Sequence, residues 1–102
     1  MKNSLNELIE FRNANNICDK LGVFLNCDIY IYKSNKNVFT GECKFKVDRN
    51  YGMDYDSITI DCDWLTENNY HIQYSTKYQN FICRNKTLVI SNNEYTIEID
   101  VI

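Results

Sequence analysis

From residue 23 onward, apolar and polar residues alternate again and again, and few architectures can use such a pattern. The first stretch is the clearest, since Leu25, Cys27 and Ile29 alternate with polar or aromatic neighbours. Successive side chains of a strand point to opposite faces of a sheet, so a period of two predicts half-buried strands. We predict strands at 23–33, 38–47, 57–64, 70–75, 80–84, 87–91 and 94–102, with the weakest alternation at 80–84. The turns between them are short, which favours antiparallel pairing.

The first twenty residues instead follow a helical period. Ser4 and Glu7 have the spacing of a capping box, and Gly22 is typical of a helix end, so we predict a helix over 4–21. Asparagines at 13, 15 and 16 weaken its middle and predict a break there. The apolar residues of the helix form one broad stripe of Leu8, Phe11, Ala14, Ile17, Cys18 and Leu21, and its Phe11, Ala14, Cys18 and Leu21 are expected to face the sheet.

Together these elements predict an α+β fold, in which the N-terminal helix packs on a curved antiparallel sheet of six or seven strands. The length of 102 residues fits a single domain covering 1–102. We find no apolar run of 18 residues and no signal-peptide pattern. We therefore expect a cytoplasmic protein, located in the host-cell cytoplasm if a phage encodes it.

The chain has five cysteines, and none lies in the closely spaced pairs that zinc sites use. Each shares the phase of apolar neighbours, as Cys62 does with Ile60, so we predict five reduced thiols in or near the core. The single histidine, His71, falls on the opposite face of its strand, which argues against a Cys–His nucleophile. We expect neither a metal nor a cofactor.

Charge divides the chain into two unlike halves. Residues 1–49 carry eight basic and six acidic groups, whereas residues 50–102 carry three basic and eight acidic groups. Nucleic acid is an unfavourable partner for the acidic half, because affinity for it comes mostly from neutralising phosphates. A basic protein surface suits the acidic half better, because opposite potentials steer encounter.

Two acidic stretches supply the candidate binding residues. Asp61 and Asp63 are predicted to point to the same side of one strand, and outward carboxylates recur along the last strand. If the two strands share a face, one surface presents these carboxylates to a basic partner, bordered by tyrosine, which is enriched at interfaces. The candidate partner-binding residues are Asp54, Tyr55, Asp56, Asp61, Asp63, Glu94, Glu98 and Asp100.

Two alternatives remain open. Aromatic and cationic side chains on the first hairpin could stack and neutralise single-stranded nucleic acid; they are Tyr30, Tyr32, Lys44 and Lys46. Asp28 and Glu42 dilute that patch with negative charge. A metal-assisted enzyme centred on Asp61 and Asp63 is the other alternative, since paired carboxylates can hold a divalent cation.

The chain contains no nucleotide-binding or hydrolase motif, so we expect a non-enzymatic protein. Asparagine makes up 15 of the 102 residues, which indicates an A/T-rich genome such as that of a phage or mobile element. The expected function is that of a small acidic inhibitor that binds and blocks a basic host or toxin protein, including a nucleic-acid-binding enzyme. Anti-defence proteins of the anti-CRISPR kind and toxin-neutralising immunity proteins have this profile.

Overall fold

In the computed structural model, which describes residues 3–49 and 55–102, seven antiparallel strands form one curled sheet resembling half a barrel. Two helices accompany them. The elements are α1 (Ser4–Ala14), β1 (Leu25–Lys33), β2 (Lys36–Arg49), β3 (Asp56–Asp61), α2 (Asp63–Glu67), β4 (Gln73–Ser75), β5 (Asn80–Arg84), β6 (Thr87–Ser91) and β7 (Tyr95–Val101). The strand order is β4-β3-β2-β1-β7-β6-β5. The predicted α+β class and curved sheet are confirmed.

The inward residues of the strands form the core, and α1 packs on them. Leu8 and Phe11 of α1 are fully buried, and the Phe11 ring lies 6.1 Å from that of Phe45 on β2. The helix packs mainly against β5 and less against β6. Neither helix in the described part of the chain is long and apolar enough to cross a bilayer.

The helix is shorter than predicted and starts with a different cap. It ends at Ala14, where the asparagines weaken the pattern, and Asn16 reverses the chain with a left-handed φ of 56°. The N-cap is Asn3, whose side chain accepts a hydrogen bond from the backbone of Asn6 at 2.9 Å. The predicted capping box is therefore wrong. Glu7 instead reaches the sheet and accepts a hydrogen bond from the backbone N–H of Cys83 at 2.7 Å.

The predicted apolar stripe is partly wrong for the same reason. Ala14 and Cys18 are exposed, because the chain no longer follows the helical period when it reaches them. Leu8, Phe11 and Ile17, which also belong to the predicted stripe, are buried. The other four cysteines are buried or half-buried, and none of the five, all of which the structure describes, forms a disulfide.

The first hairpin is tighter than its sequence suggests. Ser34 and Asn35 form a two-residue turn with φ angles of 53° and 63°, the left-handed pair that suits the twist of a hairpin. The sequence also allows a β-bulge at Gly41, but the register of β1 and β2 shifts between Ile31 and Tyr32, so the bulge lies near the turn. A Cβ at Gly41 would lie 2.8 Å from Cζ of the Phe39 ring, so a larger residue there would require that ring to move.

After β3 the chain leaves the sheet earlier than the alternation predicts. The predicted strand 57–64 stops at Asp61, and α2 follows at once. Trp64 of α2 stacks on Phe39 at 5.5 Å, and Tyr70 continues this aromatic chain to Tyr95 on β7. These rings anchor α2 beside the sheet. Strand 80–84, the weakest prediction, is present as β5.

Candidate functional site

Three carboxylates lie side by side on the outer face of the sheet. Asp28 on the central strand β1 has Asp100 on β7 as one Cα partner and Glu42 on β2 as the other. Their neighbours Cys27 and Ile99 point into the core, so the carboxylates point outward. We call Asp28, Glu42 and Asp100 the acidic row. Adjacent strands lie about 4.8 Å apart, so the row spans about 10 Å.

No cation lies within ion-pair distance of this row among the described residues. None of its three carboxylates forms an ion pair there; the one side-chain hydrogen bond to the row comes from Thr87, whose Oγ1 donates to Asp100 Oδ1 at 2.5 Å. Glu98, two residues before Asp100, adds a fourth carboxylate on the same face. Like charges placed directly opposite each other destabilise a sheet. The row is therefore a local cost to the fold.

A groove next to the row carries further negative charge. It has a volume of about 650 Å³ and lies between β2 and α2. Its carboxylates come from three elements, and they are Glu42, Asp61, Asp63 and Glu67. Lys44 is the single cation among its lining residues. We call this the acidic groove. Glu42 belongs to both features and makes them continuous.

The structure separates some of the predicted site residues. Asp61 ends β3 and Asp63 begins α2, so the two do not share a strand face, although both are exposed and line the acidic groove. Glu98 and Asp100 lie on the outer face of β7, and Glu94 is exposed just before that strand. Because β1 and β2 lie between β3 and β7, the predicted carboxylates are not adjacent.

Asp56 belongs to the interior. It is only 3% exposed, and its Oδ2 lies 2.5 Å from Nη1 of Arg12 on α1. A carboxylate held in this way stabilises the helix–sheet contact and is not available to a partner. Tyr55 is half-buried, with the ammonium of Lys77 5.9 Å from its ring centroid. Asp54 lies outside the described residues.

The hairpin surface considered for nucleic acid is not continuous. Tyr30 lies between Glu98 and Thr40, whereas Lys44 is aligned with Asn26, one outward position beyond Asp28. The acidic row thus separates the tyrosine from the lysine. Partial desolvation, followed by the charges of nearby carboxylates including Asp28, raises the pKa of Tyr30.

The ammonium group of Lys46 also contacts two neighbouring side chains. Its Nζ lies 3.7 Å from Asp48 Oδ2 and 5.3 Å from the centroid of the Phe24 ring. Tyr32 sits opposite Thr96 on β7 and toward the hairpin turn, away from both lysines. These four side chains therefore do not form one patch.

Sequence reasoning missed Asp28 and Glu42 as members of the acidic surface. Both were counted only as dilution of the basic hairpin. The alternation along the strands already placed both side chains on the outward face, as it did Glu98 and Asp100. What the sequence did not show was that β1 lies between β2 and β7, which is the arrangement that aligns the carboxylates.

One further cluster has ligand atoms close enough for a metal. Among the described residues, Glu7, Glu10 and Cys83 are the three such side chains whose ligand atoms lie within 4.8 Å of one another. Glu7 already accepts the backbone N–H of Cys83, so this group joins α1 to β5. Asp61 and Asp63 belong to no such group.

Comparison with protein-family models, curated proteins and solved structures finds no match to this chain. The case for a function therefore rests on the charges and the strand arrangement described above.

Proposed function

We propose that this chain is a small non-enzymatic protein that binds and blocks a basic partner protein through the acidic row and the acidic groove. The observation that carries the proposal is the alignment of Asp100, Asp28 and Glu42 on three neighbouring strands, with no ion-pair partner among the described residues. A surface that serves only solubility intersperses charges of both signs. A row that costs stability is better explained by a ligand that neutralises it.

The partner is expected to bring cations to this face. Complementary potentials accelerate encounter and exclude partners of the wrong sign. We assign the partner to enzymes that bind nucleic acid, because the surfaces that neutralise phosphates are strongly cationic. An acidic protein seated on such a surface would keep nucleic acid away from it. Inhibition of a host defence enzyme or of a toxin is the form of blocking we propose.

The test compares two variants of equal net charge. Asp28→Asn with Glu42→Gln removes two negative charges from the row, and Asp19→Lys changes the net charge by the same amount at an exposed site outside it. Both proteins, and the unchanged chain, are used for affinity capture, and the captured partner is purified. Association rates are then measured by stopped-flow at several salt concentrations.

We expect the row variant to associate about tenfold more slowly at low salt, because electrostatic steering contributes factors of this size or larger. The Asp19→Lys control should differ from the unchanged chain by no more than about twofold. Raising the salt should reduce the difference, because screening shortens to about 8 Å at physiological ionic strength. Equal rates for both variants, with no dependence on salt, would overturn the proposal.

A further inference from the structure

The half-barrel leaves part of one strand without a neighbour. β2 pairs with β1 from Lys36 to Phe45, but it pairs with β3 only from Lys44 to Arg49. Since β3 ends at Asp61 and the chain turns into α2, residues 38–43 of β2 have no strand on that side within the described ranges. We call this segment the free edge.

The two outer edges of the sheet, β4 and β5, are protected against pairing with another strand, whereas the free edge of β2 is not. Short edge strands and covered edges are the usual protection against unwanted pairing. β4 has only three residues, and β5 is contacted by α1, whose Glu7 accepts the N–H of Cys83. Near the hairpin turn, Asn37 Nδ2 donates to the carbonyls of Ile31 at 3.2 Å and of Phe39 at 3.0 Å, so this side chain bridges β1 and β2 and does not cover the free edge. From residue 40 to 43 the described residues give the backbone no hydrogen-bond partner outside β1.

The acidic groove runs along this edge. Glu42 lines it from β2, Asp61 from the end of β3, and Asp63 and Glu67 from α2. The stacked rings of Phe39 and Trp64 give it an apolar part. An occupant must therefore offer backbone donors and acceptors in extended form, together with cationic side chains.

We propose that the free edge of β2 accepts an extended lysine- or arginine-rich segment of the partner as an added strand, whose cations lie in the acidic groove. The inference rests on the proposed function and specifies how the basic partner is held. Strand addition supplies affinity through main-chain hydrogen bonds and specificity through alternate side chains. Residues two apart lie about 6.8 Å from each other on the same face of a strand. The segment should therefore carry its cations at every second position.

A second copy of this chain is a poor occupant for the same edge. Two-fold pairing of free edges would bring two copies of Glu42 and of the acidic groove together. Like charges facing each other across paired strands are destabilising. The charge of the groove thus selects a basic strand over self-association.

The experiment uses three synthetic seven-residue peptides. The first alternates lysine with threonine, the second carries glutamate in place of lysine, and the third is the lysine peptide with every backbone amide N-methylated. The third keeps the charge of the first but has no backbone donor. Fluorescence anisotropy gives the dissociation constants at low salt, and hydrogen exchange reports on the amides of residues 40–43.

We expect the lysine peptide to bind, N-methylation to weaken it at least tenfold, and the glutamate peptide not to bind. Exchange at one or more amides of 40–43 should slow in the complex. Asp63→Asn with Glu67→Gln should weaken the lysine peptide, whereas Asp19→Lys, which has the same net charge, should not.

Equal binding of the lysine and N-methylated peptides would overturn strand addition while leaving the acidic-surface proposal intact. Failure of the lysine peptide to bind at low salt would also overturn strand addition. The acidic-surface proposal is judged separately, by the association rates of the row variant. Equal binding of the lysine and glutamate peptides would contradict both the strand-addition proposal and the acidic-surface proposal.

Discussion

Asp28 experiences negative charge from both sides, because Glu42 and Asp100 are its cross-strand partners. Cross-strand pairs contribute about 0.2–1 kcal/mol, and a like-charged pair acts against folding. We expect Asp28→Asn to raise the free energy of unfolding by about 0.2–1 kcal/mol in low salt, measured by urea titration. Asp19→Asn is the control and should change stability little. A loss of stability in Asp28→Asn would show that the carboxylate makes a favourable contact.

Arg12 and Asp56 illustrate the opposite case, a charged pair inside the structure. Their side chains are 11% and 5% exposed, and 44 residues separate them in sequence. Removing one partner leaves a buried charge without compensation, so Asp56→Ala should cost about 3–5 kcal/mol in urea unfolding. The double variant Arg12→Met with Asp56→Leu should recover much of that loss, because no charge is then left buried. If the single variant were as stable as the double variant, the ion pair would not be structural.

The thiols should differ sharply in reactivity. Cys18 is exposed, whereas Cys27 is fully buried, and burial followed by the charge of Asp28 raises the pKa of Cys27 from 9.0 to about 12. The thiolate is the reactive form. At pH 8 we therefore expect an alkylating reagent to modify Cys18 first, with Cys27 and Cys62 unmodified until the protein is denatured, as read by mass spectrometry.

The raised pKa of Cys27 makes the stability of the fold depend on pH. Between pH 9 and about 12 the native thiol keeps its proton while the unfolded thiol loses it, so the native state binds more protons. Stability should therefore fall as the pH rises through this window, and Cys27→Ala should show a smaller fall. Rapid alkylation of Cys27 in the native protein would contradict its burial.

At the scale of the elements, the two faces of the sheet should respond differently to truncation. Ile60 on β3 is fully buried, whereas Lys44, aligned across from Asp61, is exposed. Ile60→Ala should cost about 2–5 kcal/mol, because it removes buried methyl groups and leaves a cavity. Lys44→Ala should change stability by no more than about 0.5 kcal/mol. Similar losses at both sites, in chemical denaturation, would contradict the division into inner and outer faces.

Most strands were predictable from the sequence, because inward residues such as Ile29 and Ile60 must lie on one buried face. A strand with one buried face shows apolar residues at every second position. It did not predict α2, because Trp64 continues the alternation of β3 and only its stacking on Phe39 shows the change of direction. The predicted helix runs seven residues too far, because Cys18 and Leu21 continue the apolar stripe, although the asparagines at 13, 15 and 16 predicted the break where the helix ends.

The candidate site was predictable only in part. The outward phase of Asp61, Glu98 and Asp100 was readable, because it follows from the alternation alone. The burial of Asp56 was not, because it depends on Arg12 arriving from a distant helix. Strand order is likewise a long-range property, so Asp28 could not be placed beside Asp100 from local patterns.

At the scale of the whole molecule, α1 and the acidic row lie on opposite sides of one sheet. α1 packs on the inner face, and the acidic row points away from it on the outer face. The proposed partner could therefore dock on the acidic row without displacing α1. Substitutions on the outer face should alter recognition while the fold persists.

The central position of β1 also determines how the chain can fold while it is being made. β2 follows β1 directly, but the other neighbour, β7, begins only at residue 95. At 5–20 residues per second, a ribosome takes about 3–12 s to reach β7 after finishing β1. Throughout that interval β1 lacks one of its two neighbouring strands, and α1, the first element synthesised, lacks β5 until residue 84 has been added. Nascent chains arrested before residue 95 should be cut readily by protease. Chains in which an added linker carries residue 102 well clear of the ribosome should resist cleavage. Protection before β7 emerges would mean that the hairpin and helix already form a stable intermediate on the ribosome.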